Sequence, residues 1–255
     1  MNKILTIEAA LINNEISGFD FDSVIQEVMH SKNLVILKNV FLKNKLIDLR
    51  SRVNAWAKAT EPAMADDFRE NYHRKRVMVS RVQQAPHVFH DYNFHNFGVL
   101  DGDLQSELTG FFTPLITLYK KLTANESASV VPGSGPYLHP QIIQYPNGGG
   151  FFGRHWHNLL PQKLGFIVLL SERNIDFKAG STVFDIDGQT VDVGNAQNIG
   201  DILVWRYDYD HWVSQTDLSQ KFDWDSEDGR WVATLAYFDP QGEAVTNRLN
   251  NKATT

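Results

Sequence analysis

The chain has 255 residues, 42% hydrophobic and 21% charged, which is the composition of a globular protein with a sizeable core and excludes a wholly disordered chain. Its 24 Lys and Arg against 30 Asp and Glu leave a net charge of -6, so there is no global positive field to hold a nucleic-acid backbone or an anionic membrane. The absence of cysteine excludes disulfides, thiolate metal sites, iron–sulfur clusters and cysteine nucleophiles together, so any metal must be held by His, Asp or Glu.

Met1 to Asn14 carries a single lysine and an apolar run broken by Glu8, unlike a secretory signal. No stretch approaches the roughly 18 apolar residues that a membrane helix needs. The expectation is a soluble, cytoplasmic protein with neither nucleic acid nor membrane as a partner. Residues 19–60 read as helix, strand, helix. Phe21, Val24, Ile25 and Val28 fall at helical spacing, Leu34 to Leu37 is a short buried strand, and Leu42, Leu46, Leu49, Val53 and Trp56 recur every three or four residues.

Phe68 to Phe97 has no helical period and reads as strand and loop. It gathers His73, His87, His90 and His95 with Arg74, Lys75, Arg76 and Arg81, either as the lining of a substrate entrance or as a solvated face. A helix follows from Leu104 to Leu122, which Pro114 is expected to bend or split. Beyond the turn residues 131–136, read as a hinge between a helical layer and a sheet, short β-like runs are separated by turns. They are Gln141–Tyr145, Gly165–Ser171, Gly180–Phe184, Gln189–Val193, Asp201–Tyr207 and Arg230–Phe238. Such spacing points to a barrel or jelly roll. The organisation expected is one domain over residues 1–255: a helical N-terminal layer to about 130, a β core over about 137–240 and a polar tail at 241–255.

His155-Trp156-His157 carries the chemistry. On a strand, residues i and i+2 share a face, so both imidazoles can reach one metal while Trp156 turns away. His211, after the strand-like Gly200 to Trp205, offers a third ligand from a later strand. Taken alone, a His-x-His is more often a pair of core or surface histidines with hydrogen-bond partners.

The order of motifs around it resembles the iron(II), 2-oxoglutarate-dependent oxygenases, built on a double-stranded β-helix, a cupin-like jelly roll. A strand and glycine turn, Gln144 to Gly150, precede His155, and Gly180-Ser181-Thr182-Val183-Phe184 resembles the family's Gly-x-Thr-x-Phe strand. Gly200-Asp201 leads towards His211, and Arg230 opens the final strand. Asn33 to Val53 is similar to the strand and helix that precede the barrel in many members. The resemblance implies Fe(II), 2-oxoglutarate and O2 as cofactor and co-substrates, with His155, His157 and His211 as metal ligands. It implies Arg230 as the partner of the far carboxylate of 2-oxoglutarate, a task suited to a planar guanidinium fork. Tyr145 joins Arg230 at the co-substrate, with Lys221 as the lesser candidate.

Two departures stand out. His157 occupies the usual Asp or Glu position, which leaves one more positive charge at the metal. Arg230 lies farther beyond His211 than is usual, so Ser214 to Gly229 reads as an inserted loop, and its Asp223, Asp225, Glu227 and Asp228 as solvated. An imidazole at 157 also fills the space that halogenating members leave for a halide. The implied activity is oxidation, by default hydroxylation, of a C–H bond in a small molecule such as an amino acid or metabolite intermediate. Two alternatives stay open: a three-histidine cupin-type dioxygenase that uses no 2-oxoglutarate, and an inactive β-helix domain that only binds. Gln162, where a cupin would carry glutamate, and the full strand length between Gly200 and His211 argue against the first.

Overall fold

A computed structural model of the chain describes residues 3–64, 71–79, 85–125 and 137–238. Phe68, Arg81, the turn residues 131–136 and the polar tail lie outside the described residues. The chain opens with β1 (Ile4–Glu8), β2 (Ala10–Ile12) and β3 (Glu15–Ser17). There follow α1 (Phe21–Ile25), which continues as one π-helical turn at Gln26–His30, then β4 (Leu34–Lys38) and α2 (Lys43–Lys58). Next come β5 (Tyr72–Met78), β6 (His87–Asn93) and α3 (Gly102–Thr123). Eight strands complete it: β7 (Tyr137–Pro146), β8 (Phe151–His155), β9 (Leu164–Leu169), β10 (Thr182–Ile186), β11 (Gln189–Asp192), β12 (Ile202–Arg206), β13 (Asp210–Val213) and β14 (Gly229–Phe238).

Period-two alternation divides these strands between two cores. Ile142, Phe166, Val168, Ile202, Val204, Trp231 and Ala233 pack with the apolar faces of α2 and α3. Their immediate neighbours Ile143, Ile167, Leu169, Leu203, Trp205 and Val232 turn the other way and meet Phe184, Ile186, Val191 and Val213. Each fully buried Leu, Val or Phe contributes on the order of 1.5–3 kcal/mol, so the two cores lock the inward and outward parity of β7, β9, β12 and β14.

The last eight strands form two four-stranded halves, in the orders β12-β9-β14-β7 and β8-β13-β10-β11, joined through β6, which pairs with both β7 and β8. This is a double-stranded β-helix, a jelly roll, as the resemblance implied. β4 and β1 extend one edge and β5 the other side of β6, giving a 12-stranded sheet. In the first half of the chain β4 is the strand expected at Leu34 to Leu37, and β5 and β6 are the strands of the segment read as strand and loop; the unexpected member of the main sheet is β1. β1 shows no strong strand pattern of its own, since only Ile4 and Ile7 are even half-buried; its parallel register with β4 recruits it.

α3 runs unbroken through Pro114. The proline removes the N–H that the carbonyl of Gly110 would have accepted, and Gly110 is exposed, so water can satisfy that carbonyl without a break. Asp101 caps the helix by accepting from the Leu104 N–H at 3.0 Å. The Gly200-Asp201 pair has a structural task. Gly200 sits at φ +88, where an added Cβ would lie 2.3 Å from the Phe41 carbonyl oxygen. The buried Asp201 carboxylate pairs with Lys38 and accepts from the backbone N–H groups of Asn39 (2.9 Å) and Asn198 (2.7 Å), latching β4 to the start of β12. No helix among the described residues is long and apolar enough to cross a membrane.

Candidate metal centre

His155 ends β8 and His211 opens the body of β13, directly opposite each other in the antiparallel register. His157 lies two residues past the end of β8, so its approach to the others is set by the following loop and not by strand alternation. One ring nitrogen from each of the three lies within 4.8 Å of the others, and this is the single metal-capable group found among the described residues. The Nδ1–H of His155 donates to the Gly153 carbonyl and that of His211 to the Tyr209 carbonyl, each at 2.8 Å. Both bonds fix the tautomer and leave the Nε2 lone pair for a ligand. Burial, with the neighbouring imidazoles, holds His155 and His157 well below the ordinary histidine range, and burial brings His211 down to about 4. All three are neutral donors at pH 7, the state in which imidazole binds a metal.

Arg230 opens β14 opposite Tyr145 on β7, and both are buried. Its Nη2 donates to Thr182 Oγ1 at 2.7 Å, its guanidinium carbon lies 5.6 Å from the centre of the Tyr145 ring, and Nη1 is buried with no partner. Burial lowers its pKa to about 10, still cationic at pH 7. β10 links this cation to the histidines. Thr182 and Phe184 share one face, Thr182 touching Arg230 while Phe184 stacks against His211 with ring centres 5.7 Å apart. Lys221 stands apart, exposed on the loop after β13, beside a small cleft of about 170 Å³ that it lines with Asn147, Gln220, Asp223, Ser226 and Asp228. Asn158 is exposed and Trp156 half-buried.

Segment 214–228 is less free than an inserted solvated loop. Thr216 and Asp217 carbonyls accept from Gly149 and Gly148 at 2.8 and 3.0 Å, and Gln144 Nε2 donates to the Ser226 carbonyl at 2.8 Å. Of its acidic residues, Asp225 pairs with Lys75 at 2.8 Å, and Glu227 accepts from Ser51 Oγ at 2.5 Å.

The histidine-rich segment divides between the two faces of β5 and β6. His73 and His90 share a hydrogen bond of 2.8 Å, and His90 joins the Tyr92 hydroxyl at 3.0 Å; Tyr92 belongs to the core beneath the helices. Phe89 belongs to the inner core, where its ring meets Phe152 at 5.3 Å and Phe152 stacks on His155 at 4.0 Å. Arg76 lies 5.0 Å over Phe89, and Arg74 pairs with buried Asp91 at 2.6 Å. His87, edge-on to Phe152 at 5.4 Å, completes this wall. Of the rings around the three histidines, Phe152 escapes the sequence reading, Phe184 stands in the glycine-led strand motif without a role, and Tyr207, which by sequence could face either core or pocket, faces His157. Parity along β10 could have given Phe184 its inward face, and nothing local marks Phe152.

Two antiparallel four-stranded halves enclosing a three-histidine cluster and a buried arginine define a double-stranded β-helix with a metal-capable interior. Solved structures share this fold. A prolyl-4-hydroxylase from Pseudomonas putida aligns with TM-score 0.53 at 13% identity, over 84% of this chain and 97% of that one. A prolyl hydroxylase from Trichoplax adhaerens, in complex with a hypoxia inducible factor oxygen degradation domain peptide fragment, aligns with TM-score 0.53 at 13% identity, over 86% and 89%. The non-heme alpha ketoglutarate dependent epimerase SnoN from nogalamycin biosynthesis aligns with TM-score 0.51 at 13% identity, over 92% of each chain. What the chain has in common with these proteins is the fold. No family model and no curated protein matches the sequence.

Proposed function

We propose that the chain is an iron(II)- and 2-oxoglutarate-dependent oxygenase that oxidises a C–H bond of a small molecule. The observation that carries this reading is the pairing of two unmet demands in one interior. Three neutral imidazoles bring one ring nitrogen each within 4.8 Å of the others, and a buried guanidinium has Nη1 without a partner. Thr182 and Phe184, which touch the two groups, are about 7 Å apart along β10 at ~3.4 Å per residue, a span that suits a short dicarboxylate.

In this reading His155, His157 and His211 hold the metal, and Arg230 takes the far carboxylate of 2-oxoglutarate in a charge-assisted pair, with Thr182 fixing the guanidinium and Tyr145 covering its face. Bound there, iron with 2-oxoglutarate and O2 supplies the oxidant for the C–H bond. The chain's own part is to keep the imidazoles neutral by burial, to hold the guanidinium charged, and to exclude water with Phe152, Phe184 and Trp205. Substrate, an amino acid or metabolite intermediate, would meet the wall made by His87, Phe89 and Arg76. A second reading, a three-histidine dioxygenase without 2-oxoglutarate, is favoured by the ligand set but leaves Arg230 Nη1 without a task.

Anaerobic titration with Fe(II) and then 2-oxoglutarate tests the choice. The expected result is the weak visible charge-transfer band of the chelate. Iron binding without that band would favour the second reading, and no binding of either would leave a fold that only binds other ligands.

A further inference from the structure

The three histidines are not held alike. His155 and His211 are each oriented by an Nδ1–H donated to a backbone carbonyl at 2.8 Å. His157 has left the strand, and its Nδ1 is buried with no hydrogen-bond partner. Its ring instead lies flat on Tyr207, with centres 4.2 Å apart and planes within 7° of parallel. Its contacts with His155 and His211 are longer, 5.1 and 5.2 Å, and inclined.

Tyr207 is itself immobilised. It is buried at the end of β12, and its backbone N–H donates to the Lys163 carbonyl at 2.9 Å. Lys163 closes the loop that His157 begins, donating its own N–H to the Leu159 carbonyl at 2.6 Å. Gln162 clamps that end: its Nε2 donates to the Leu235 carbonyl at 2.9 Å, its Oε1 accepts from the Tyr237 N–H at 2.9 Å, and its carbonyl accepts from the Tyr119 hydroxyl at 2.7 Å. Tyr207 thus touches segment 157–163 at both ends, by its ring at His157 and by its backbone at Lys163.

We propose that Tyr207 is the positioning residue of the third metal ligand, its ring face serving His157 as the carbonyls of Gly153 and Tyr209 serve the other two. This rests on reading the three histidines as a metal site. A stacked face fixes the plane of the imidazole but donates and accepts nothing, so it holds the ring against the metal without dictating the tautomer. A metal-bound imidazole is electron-poor, which strengthens its attraction to the phenol face, and offset stacking of this kind is worth about 0.5–1.5 kcal/mol. That corresponds to roughly two- to tenfold in metal affinity.

The test uses Co(II) as probe, in the full chain and in Tyr207→Phe, Tyr207→Leu and Tyr207→Ala, with binding read by absorption and ligation by hyperfine-shifted imidazole proton resonances. The parent and Tyr207→Phe are expected to show three histidine sets and matching affinity. Tyr207→Leu, which keeps bulk without an aromatic face, and Tyr207→Ala should lose the third set and bind Co(II) up to about tenfold more weakly. Three sets at parental affinity in Tyr207→Leu or Tyr207→Ala would overturn the proposal, as would only two sets in the parent, which needs no variant to fold. Failure of the parent to bind Co(II) at all would instead sink the metal site, so the two failures are told apart.

Discussion

Arg230 donates to Thr182 at 2.7 Å through Nη2 and keeps Nη1 buried without a partner, so the site is ordered around a cation that the chain itself does not satisfy. A buried, half-met guanidinium costs stability unless a ligand completes it. Arg230→Gln should therefore raise the 2-oxoglutarate concentration needed for binding by about 10- to 100-fold, the size of a lost charge-assisted bond of roughly 1.5–3 kcal/mol. Its metal affinity should stay near that of the parent. Lys221→Ala, on the exposed loop, serves as control and should change neither in calorimetric titrations. A large effect at Lys221 with none at Arg230 would move the co-substrate contact to segment 214–228.

His155→Ala and His211→Ala should each abolish tight metal binding while circular dichroism stays that of the parent. These residues face each other in register, so losing either removes one of the two ligands that strand geometry supplies. His157→Ala is expected to weaken binding by about tenfold, in line with loss of a ligand-orienting group or more. His157→Asp should keep the metal, because a carboxylate restores the ligand set commoner in the resembled family. Parental affinity in His157→Ala would mean that the third imidazole is not a ligand.

Acid should destabilise the metal-free protein early. Burial holds His73, His87, His90, His139, His155, His157 and His211 below the ordinary histidine range, with His87 and His211 at about 4 and His90 at about 3. In the unfolded chain they titrate near 6.5, so between about 6.5 and 4 the unfolded state binds more protons than the folded one. Stability is then full above pH 7 and falls as pH drops through 6.5, by on the order of 1–2 kcal/mol at pH 5 for each of His87 and His211. Urea midpoints at pH 8, 6.5 and 5, taken with a chelator present, measure this. His87→Phe should flatten the slope, and equal midpoints across the range would contradict the buried neutral state.

Gly200→Ala should be among the most damaging small substitutions. At φ +88 an alanine is strained, and its Cβ would meet the Phe41 carbonyl oxygen at 2.3 Å beside the Asp201–Lys38 latch. A loss of about 2–4 kcal/mol in chemical denaturation is expected, from backbone strain together with the displaced β4–β12 contact. Gly188→Ala sets the comparison for strain alone, since its φ is +79 but its Cβ would meet nothing within 4 Å. Equal losses at the two positions would show that close approach to Phe41 adds nothing.

Much of this protein is written locally. The alternation Ile202-Leu203-Val204-Trp205 assigns each side chain to one of two cores, and the spacing of Leu104, Leu108, Phe112, Leu115 and Leu118 makes one buried helix face. Both follow from backbone periodicity, which needs no knowledge of the partner. The His-x-His spacing and the later strand make His155 and His211 candidates from the residues themselves, whereas Arg230 is a candidate only through the motif order of the resembled family. The fold brings the histidines together and buries Arg230. What local pattern could not carry was pairing. β1 becomes a strand only in register with β4, and segment 214–228, mostly polar, is pinned by hydrogen bonds to the glycine turn at 148–149. His157 lies past its strand, so i, i+2 alternation does not orient it; Tyr207, fifty positions away in the chain, does so through a contact made only when β12 closes beside β9. Periodicity tells which face of an element is buried, but the closure of distant strands and loops decides what that face meets.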